Sequence, residues 1–205
     1  MHMNTQVINL LPTTLSTWKN FFIIVFTTCI LSGCTTLLVA GVVVTSIDIL
    51  HDRRTVGEYI DDGAIELSAK NVVLTNAEFR KSSHIKAISW NGILLLSGEV
   101  TDEQIKQEIV TKLSRIQGVR QVVDELEIMD RSKFLTRTND SWITSQVKSR
   151  LVLKTGLKAN RVKVTTTRGS VFLMGIVTEE EAEKATAVAQ VVRGVKRVVK
   201  VFEYK

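Results

Sequence analysis

The sequence predicts an α+β protein built from two tandem copies of one α-β-β-α-β unit, each a two-layer sandwich with two helices on one face of a three-stranded mixed sheet. Three observations predict it. "LLLSGEVTDEQ" (94–104) and "VFLMGIVTEEE" (171–181) repeat at a spacing of 77 residues, pairing Leu96 with Leu173, Gly98 with Gly175, Val100 with Val177, Thr101 with Thr178 and Glu103 with Glu180. Alternating segments flank Asn91-Gly92 and Arg168-Gly169; Asn-Gly is the preferred two-residue hairpin turn, because both central positions need positive φ. Finally, Ile143, Val147 and Leu151 recur at helical spacing and form a stripe that must be buried on a sheet.

Taken in chain order, Lys19 precedes "FFIIVFTTCIL", an apolar run of about eleven residues that suits a secretory signal better than a membrane span, which needs about twenty. The run leads into Leu31-Ser32-Gly33-Cys34, which resembles a bacterial lipobox. That resemblance implies a signal peptide over residues 1–33 and a mature chain starting at Cys34, diacylglyceryl-modified on sulfur and acylated on its amine. The alternative is an ordinary cysteine closing an uncleaved anchor. Several acyl chains hold a membrane durably where one binds marginally. Thr35 follows in place of an aspartate, which by analogy with bacterial lipoprotein sorting favours the outer membrane, facing the periplasm. With Cys29 removed and Cys34 lipidated, no thiol remains for a disulfide, metal or nucleophile. Residues 34–54 are then a lipidated tether. Its segment "LLVAGVVVTSIDIL" lies near the membrane or packs on the domain, being too short at fourteen residues, and interrupted by Asp48, for a second span.

The first unit is expected over 55–129, a linker over 130–139 around "MDRSKFLTRTND", and the second unit over 140–205. Each reads as a helix (Ile65–Leu74 matching Ile143–Val152), a strand ("IKAISW", "VKVTTT"), the turn, a second strand, a second helix and a valine-rich last strand after Gly118 or Gly194. A short segment around "DRRTVGEYI" precedes the first helix. Thr101-x-x-Gln104 and Thr178-x-x-Glu181 read as capping boxes, and Gly118 and Gly194 as C′ residues of the second helices. Leu94, Leu96 and Val100, with Val171, Leu173 and Val177, should face the helices. The opposite sheet face reads Leu95, Ser97, Glu99 in the first unit and Phe172, Met174, Ile176 in the second. The latter face is apolar and is expected to meet the first unit or the chain near the linker.

Two such units, with the "GxVT" strand end and the "GV(K/R)xVV" final strand, resemble BON domains, most closely through "DSWITSQVKSRL" and "RVKVTTTRGSVFLMGIVTEEEA" in the second copy and "RTVGEYIDDGAIEL" in the first. After a lipobox, the resemblance is to two-domain BON lipoproteins of the outer membrane. It implies binding of anionic phospholipid (phosphatidylglycerol or cardiolipin) by the second domain. It further implies a part in outer-membrane integrity, with division or outer-membrane assembly proteins as partners.

The copies differ in charge. Residues 55–129 hold eight Lys/Arg against twelve Asp/Glu, a net of −4, and residues 139–205 hold thirteen against six, a net of +7. A basic domain suits nucleic acid, an acidic protein or an anionic membrane. Export removes nucleic acid, and the acidic first unit could itself be the partner. Trp142, where the first unit has Ala64, lies roughly 140° from the centre of the buried stripe. Around it stand Ser145, Gln146, Ser149 and Arg150, with Lys148 and Lys154 on the flanks. Tryptophan favours the headgroup boundary of a membrane, and nearby cations neutralise phosphodiesters. These seven residues are the candidate phospholipid-binding face; packing of Trp142 on the linker or first unit is the competing expectation. The competing function is a protein-interaction adaptor in the envelope, with incidental lipid contact.

Chemistry is not indicated. His51 and His84 are the histidines of the mature chain, and no metal-protease or nucleophile-elbow motif is present. Asp61-Asp62 and Asp102-Glu103 are expected at helix starts, offsetting the dipole. No cofactor or metal is expected.

Overall fold

The computed structural model describes residues 53–157 and 160–205. The signal segment, the lipobox with Cys34, His51 and the tether up to residue 52 lie outside them. The first unit comprises α1 (Val56–Thr75), α2 (Ala77–Ser82), β1 (Ser83–Trp90), β2 (Ile93–Val100), α3 (Glu103–Ser114) and β3 (Gln121–Ile128). The second comprises α4 (Phe134–Thr155), β4 (Lys163–Thr167), β5 (Ser170–Val177), α5 (Glu179–Gln190) and β6 (Arg197–Tyr204). In each sheet the middle strand pairs antiparallel with its hairpin partner and parallel with the last strand, giving the expected mixed sheet.

Local chemistry explains where the elements depart from expectation. "DRRTVGEYI" is no separate segment, because Thr55 and Glu58 form a capping box that starts α1 at Val56. α4 likewise starts at Phe134, inside the stretch expected as linker. The short α2 was not foreseen; Asn76 caps it by accepting from Glu78 N and Phe79 N, and Phe79 drops into the core. Thr178 and Glu181 form the anticipated box, but α3 is capped by Asp102, whose carboxylate accepts from Ile105 N at 2.9 Å, and not by Thr101. Gly118 and Gly194, at φ 92° and 93°, are not C′ residues: they sit three residues beyond the caps Arg115 and Val191, in the turns that lead into β3 and β6.

Asp61-Asp62 is the largest correction. Neither residue starts a helix; both lie within α1, and Asp62 is buried. Its carboxylate accepts from Asn91 N (2.7 Å), Gly92 N (2.9 Å), Ser89 Oγ (2.6 Å) and Arg54 Nη1 (2.6 Å). Asp140 in α4 does the same for the second hairpin, accepting from Arg168 N (2.8 Å) and Gly169 N (2.9 Å). Both turns have two successive positive φ values, so each aspartate satisfies amides that the hairpin leaves unpaired and locks helix to sheet. Burial alone would raise the Asp62 pKa; the hydrogen bonds from Gly92, Ser89, Arg54 and Asn91 outweigh it and hold the carboxyl below its usual value.

The helix-facing residues behave as the alternation predicts: Leu94, Leu96 and Val100 pack with Ile65, Ile109 and Leu113, and Val171, Leu173 and Val177 with Ile143, Val147 and Ala185. The opposite faces meet each other. Trp90 and Leu95 pack against Phe172 and Met174, joined by Ile88, Ile93, Val123, Ile176, Val199 and Val201. The second unit's apolar face is therefore covered by the first unit, giving four layers ordered helix, sheet, sheet, helix. Ion pairs rim this interface: Arg120–Glu203 and Arg197–Glu125 at 2.8 Å, and Lys163–Glu66 at 2.5 Å. Glu99, wholly buried, is met by Arg168 Nε at 2.8 Å and Ser132 Oγ at 3.2 Å. Part of the basic unit's charge thus has the acidic unit as its partner.

Two consecutive arginines close the arrangement. Arg54 pairs with Asp62 and lies 3.6 Å over the Trp90 ring in the first unit, while Arg53 donates to Glu181 Oε2 (2.7 Å) and Ile176 O (2.8 Å) in the second. The hydrogen bond from Arg53, opposed by burial and helped by Thr178 N and Arg161, brings Glu181 from 4.5 down to about 2. A carboxyl whose folded pKa is depressed contributes stability above the unfolded value and loses it as pH falls through the folded one. The stabilisation from Glu181 is therefore complete above about pH 4.5 and fades toward pH 2. Urea midpoints across that window should fall further in the parent than in Glu181→Gln, by on the order of 2–3 kcal/mol at the acid end. Superimposable acid limbs would contradict this.

Candidate functional site

α4 carries the candidate face. Its stripe of Ile143, Val147 and Leu151 is buried on the sheet, and Gly156 ends the helix in the left-handed conformation at φ 66°. On the far side Trp142 is 47% exposed, so it does not disappear into the linker or first unit. Ser145, Lys148, Ser149 and Lys154 are exposed, and Gln146 and Arg150 half-buried. At about 100° per residue, Gln146 and Ser149 share the Trp142 line, Lys148 stands to one side and Arg150 to the other, while Lys154 falls on the line of the buried stripe and is exposed in the last turn of the helix. Among the described residues no ion pair involves any of these three cations, whereas Arg53, Arg161, Lys163, Arg168, Lys184 and Arg197 are all paired.

One member is less suited than its position implies. Ser145 Oγ donates to Ser141 O at 3.0 Å, so its proton is engaged in the helix and the hydroxyl offers lone pairs outward. A phosphate oxygen needs donors, which leaves Ser149, Gln146, the indole N–H and the cations for that task.

Two residues were missed. Leu135 (79% exposed) and Leu153 (80%) lie within about 20° of the Trp142 line, one toward each end of the helix. The same periodicity that located Trp142 would have found Leu153, whereas Leu135 fell inside the stretch assigned to the linker. The helix therefore presents an apolar line with cations on both flanks, the composition of an interfacial amphipathic helix.

The first unit lacks this arrangement. At the position matching Trp142, Ala64 opens onto a cleft of about 400 Å³ lined by Asp61, Ala64, Ser68, Ile116, Gln117 and Gly118. Among the described residues no cluster of His, Cys, Asp and Glu could hold a metal, and no helix is long and apolar enough to cross a membrane.

Comparison with known proteins adds independent information. The model of the BON domain matches residues 61–130 and 139–205. The chain is 36% identical to the outer membrane lipoprotein DolP of Haemophilus influenzae over 191 residues, 93% of this chain and 98% of that protein. It is 31% identical to the 21 kDa hemolysin of Actinobacillus pleuropneumoniae, over 75% of this chain and 79% of that one. It is also 31% identical to osmotically-inducible protein Y of Escherichia coli K12, over 70% and 72%.

The two faces of α4 should separate energetically. Ile143→Ala, at a wholly buried site, is expected to cost about 2–5 kcal/mol in urea denaturation, and Trp142→Ala less than about 1 kcal/mol. Equal losses would mean that the indole is part of the core.

Proposed function

The chain belongs to the BON-domain family, and from that premise we propose that it is an outer-membrane lipoprotein, anchored through Cys34 and facing the periplasm, whose second domain binds anionic phospholipid. It acts as a binding module that supports outer-membrane integrity, including at the division site. Trp142 carries the reading: a half-exposed indole on a helix whose cations Lys148, Arg150 and Lys154 form no ion pair among the described residues. The indole and the flanking Leu135 and Leu153 enter the headgroup boundary, and Lys148, Arg150 and Lys154 meet phosphodiesters, each worth about 1 kcal/mol near an anionic surface. The first domain, at net −4, is repelled by the same surface and orients the second toward it. Because the lipid anchor already holds the chain at a membrane, a weak headgroup site is enough to bias where it resides.

Cosedimentation of residues 35–205 tests this. Binding is expected to phosphatidylglycerol-containing vesicles and not to neutral ones, to weaken as salt shortens the Debye length, and to fall at least tenfold in Trp142→Glu. No binding by the folded parent would replace this reading with that of an adaptor for an acidic envelope protein.

A further inference from the structure

The exposed side of α4 is uncharged along its whole length. At about 100° per residue, Phe134 (73% exposed) and Val152 (44%) share a line about 80° from Trp142, on the Lys148 side, while Leu135 and Leu153 keep to the Trp142 line itself. Thr138, Ser145 and Ser149 lie between the two lines and Ser141 at their edge, all of them exposed. From Phe134 to Leu153 this band runs for about 30 Å with no charged side chain inside it; Lys148 borders it on one side and Arg150 on the other. Its hydroxyls are turned back on the helix: Thr138 Oγ1 donates to Phe134 O at 3.1 Å, Ser141 Oγ to Arg137 O at 3.0 Å and Ser145 Oγ to Ser141 O. A donor satisfied in this way leaves water without the penalty of an unmade hydrogen bond. The start of the helix points the same way. Where the first unit has the capping box of Thr55 and Glu58, α4 has Lys133, no side-chain cap bond and no acid in its first turn. Lacking a carboxylate costs stability at a helix N-terminus and favours an anionic neighbour.

From this arrangement we infer that α4 lies flat in the membrane, sunk along its full length to the acyl boundary, and so selects anionic lipid that is loosely packed. The inference rests on the lipid reading above and adds to it, since contact through Trp142 alone would need neither Phe134 and Val152 nor a band free of charge. Two cations border the band against five large apolar side chains, so insertion and not surface charge supplies most of the attraction. Phe134 and Leu135 at one end, Trp142 between, and Val152 and Leu153 at the other are separated by small hydroxyl residues, so each group needs its own gap between headgroups. Such gaps are frequent where a leaflet is curved and rare where it is flat and tightly packed, which is how amphipathic helices recognise lipid packing. A second copy is a poor occupant. Asp140 is the one acidic residue of α4 and is held by the amides of Arg168 and Gly169, so two such faces would oppose Lys148 and Arg150 with no carboxylate between them.

The test is flotation of residues 35–205 with vesicles of one phosphatidylglycerol-containing composition, prepared at diameters of about 200 nm and about 30 nm and compared at equal outer-leaflet lipid. Half-saturating lipid is expected to be at least fivefold lower on the small vesicles. The ratio should fall toward one when Phe134→Ser is combined with Leu153→Ser, and also in Ser145→Lys, although the latter adds a cation that would tighten a contact made by charge alone. All three side chains are exposed, so an unaltered thermal midpoint verifies that their replacement leaves the fold intact. Equal affinity for both diameters would overturn the inference and leave the lipid reading standing. A size preference that survives either replacement would overturn it as well. No binding to either vesicle would remove both the inference and the reading beneath it.

Discussion

Each three-stranded sheet here has two apolar faces and only enough helix to cover one of them. A sheet of three strands cannot leave a face that contains Phe172, Met174 and Ile176, or Trp90 and Leu95, in water, and in this chain each sheet covers the other. At about 25 cal/mol per Å² of apolar surface, this burial is a main source of stability that neither unit has by itself. The consequence is orientational as well as energetic: with the sheets turned inward, the outer layer of each unit is its helical one.

That constraint sorts the charges. Arg120, Lys163, Arg168 and Arg197 project from strands and turns at the seam and find Glu203, Glu66, Glu99 and Glu125 across it. Exposed pairs of this kind contribute little, but Glu99 is fully buried, and removing Arg168 would strand its charge. The cations of α4 point away from the seam and have no such partners among the described residues. Three of the second unit's cations, Lys163, Arg168 and Arg197, are neutralised at the seam, whereas Lys148, Arg150 and Lys154, on the helix that also carries Trp142, form no ion pair among the described residues.

Much of this was legible in the sequence because it depends on periodicity. Alternation assigned Leu96 and Leu173 to one face and Leu95 and Phe172 to the other, and the duplication made each assignment twice. The face with Phe172 announced an interface because no local element remained to cover it. Other features were hidden because they are contacts between residues far apart in the chain. Asp62 looked like one of a pair of helix-start acids, whereas it holds the amides of Asn91 and Gly92; only its recurrence as Asp140, beside the second hairpin, could have revealed the clamp. The Arg53–Glu181 bond joins residues 128 apart and has no local signature. Trp142 was conspicuous by chemistry, while Leu135 and Leu153 were overlooked because leucine on a helix is ordinarily read as core.

The central claim is that the face of α4 bearing Trp142, and no other, meets the lipid. Tryptophan emission of residues 35–205, which lack Trp18, reads this directly, because Trp90 is buried under Arg54 and supplies a fixed background while Trp142 is half exposed. On phosphatidylglycerol vesicles the Trp142 component is predicted to shift to shorter wavelength and to be quenched by lipids brominated near the headgroup, with no change on neutral vesicles. Emission that stays unshifted and unquenched while the protein is bound to the vesicles would place the contact on another face and contradict the account.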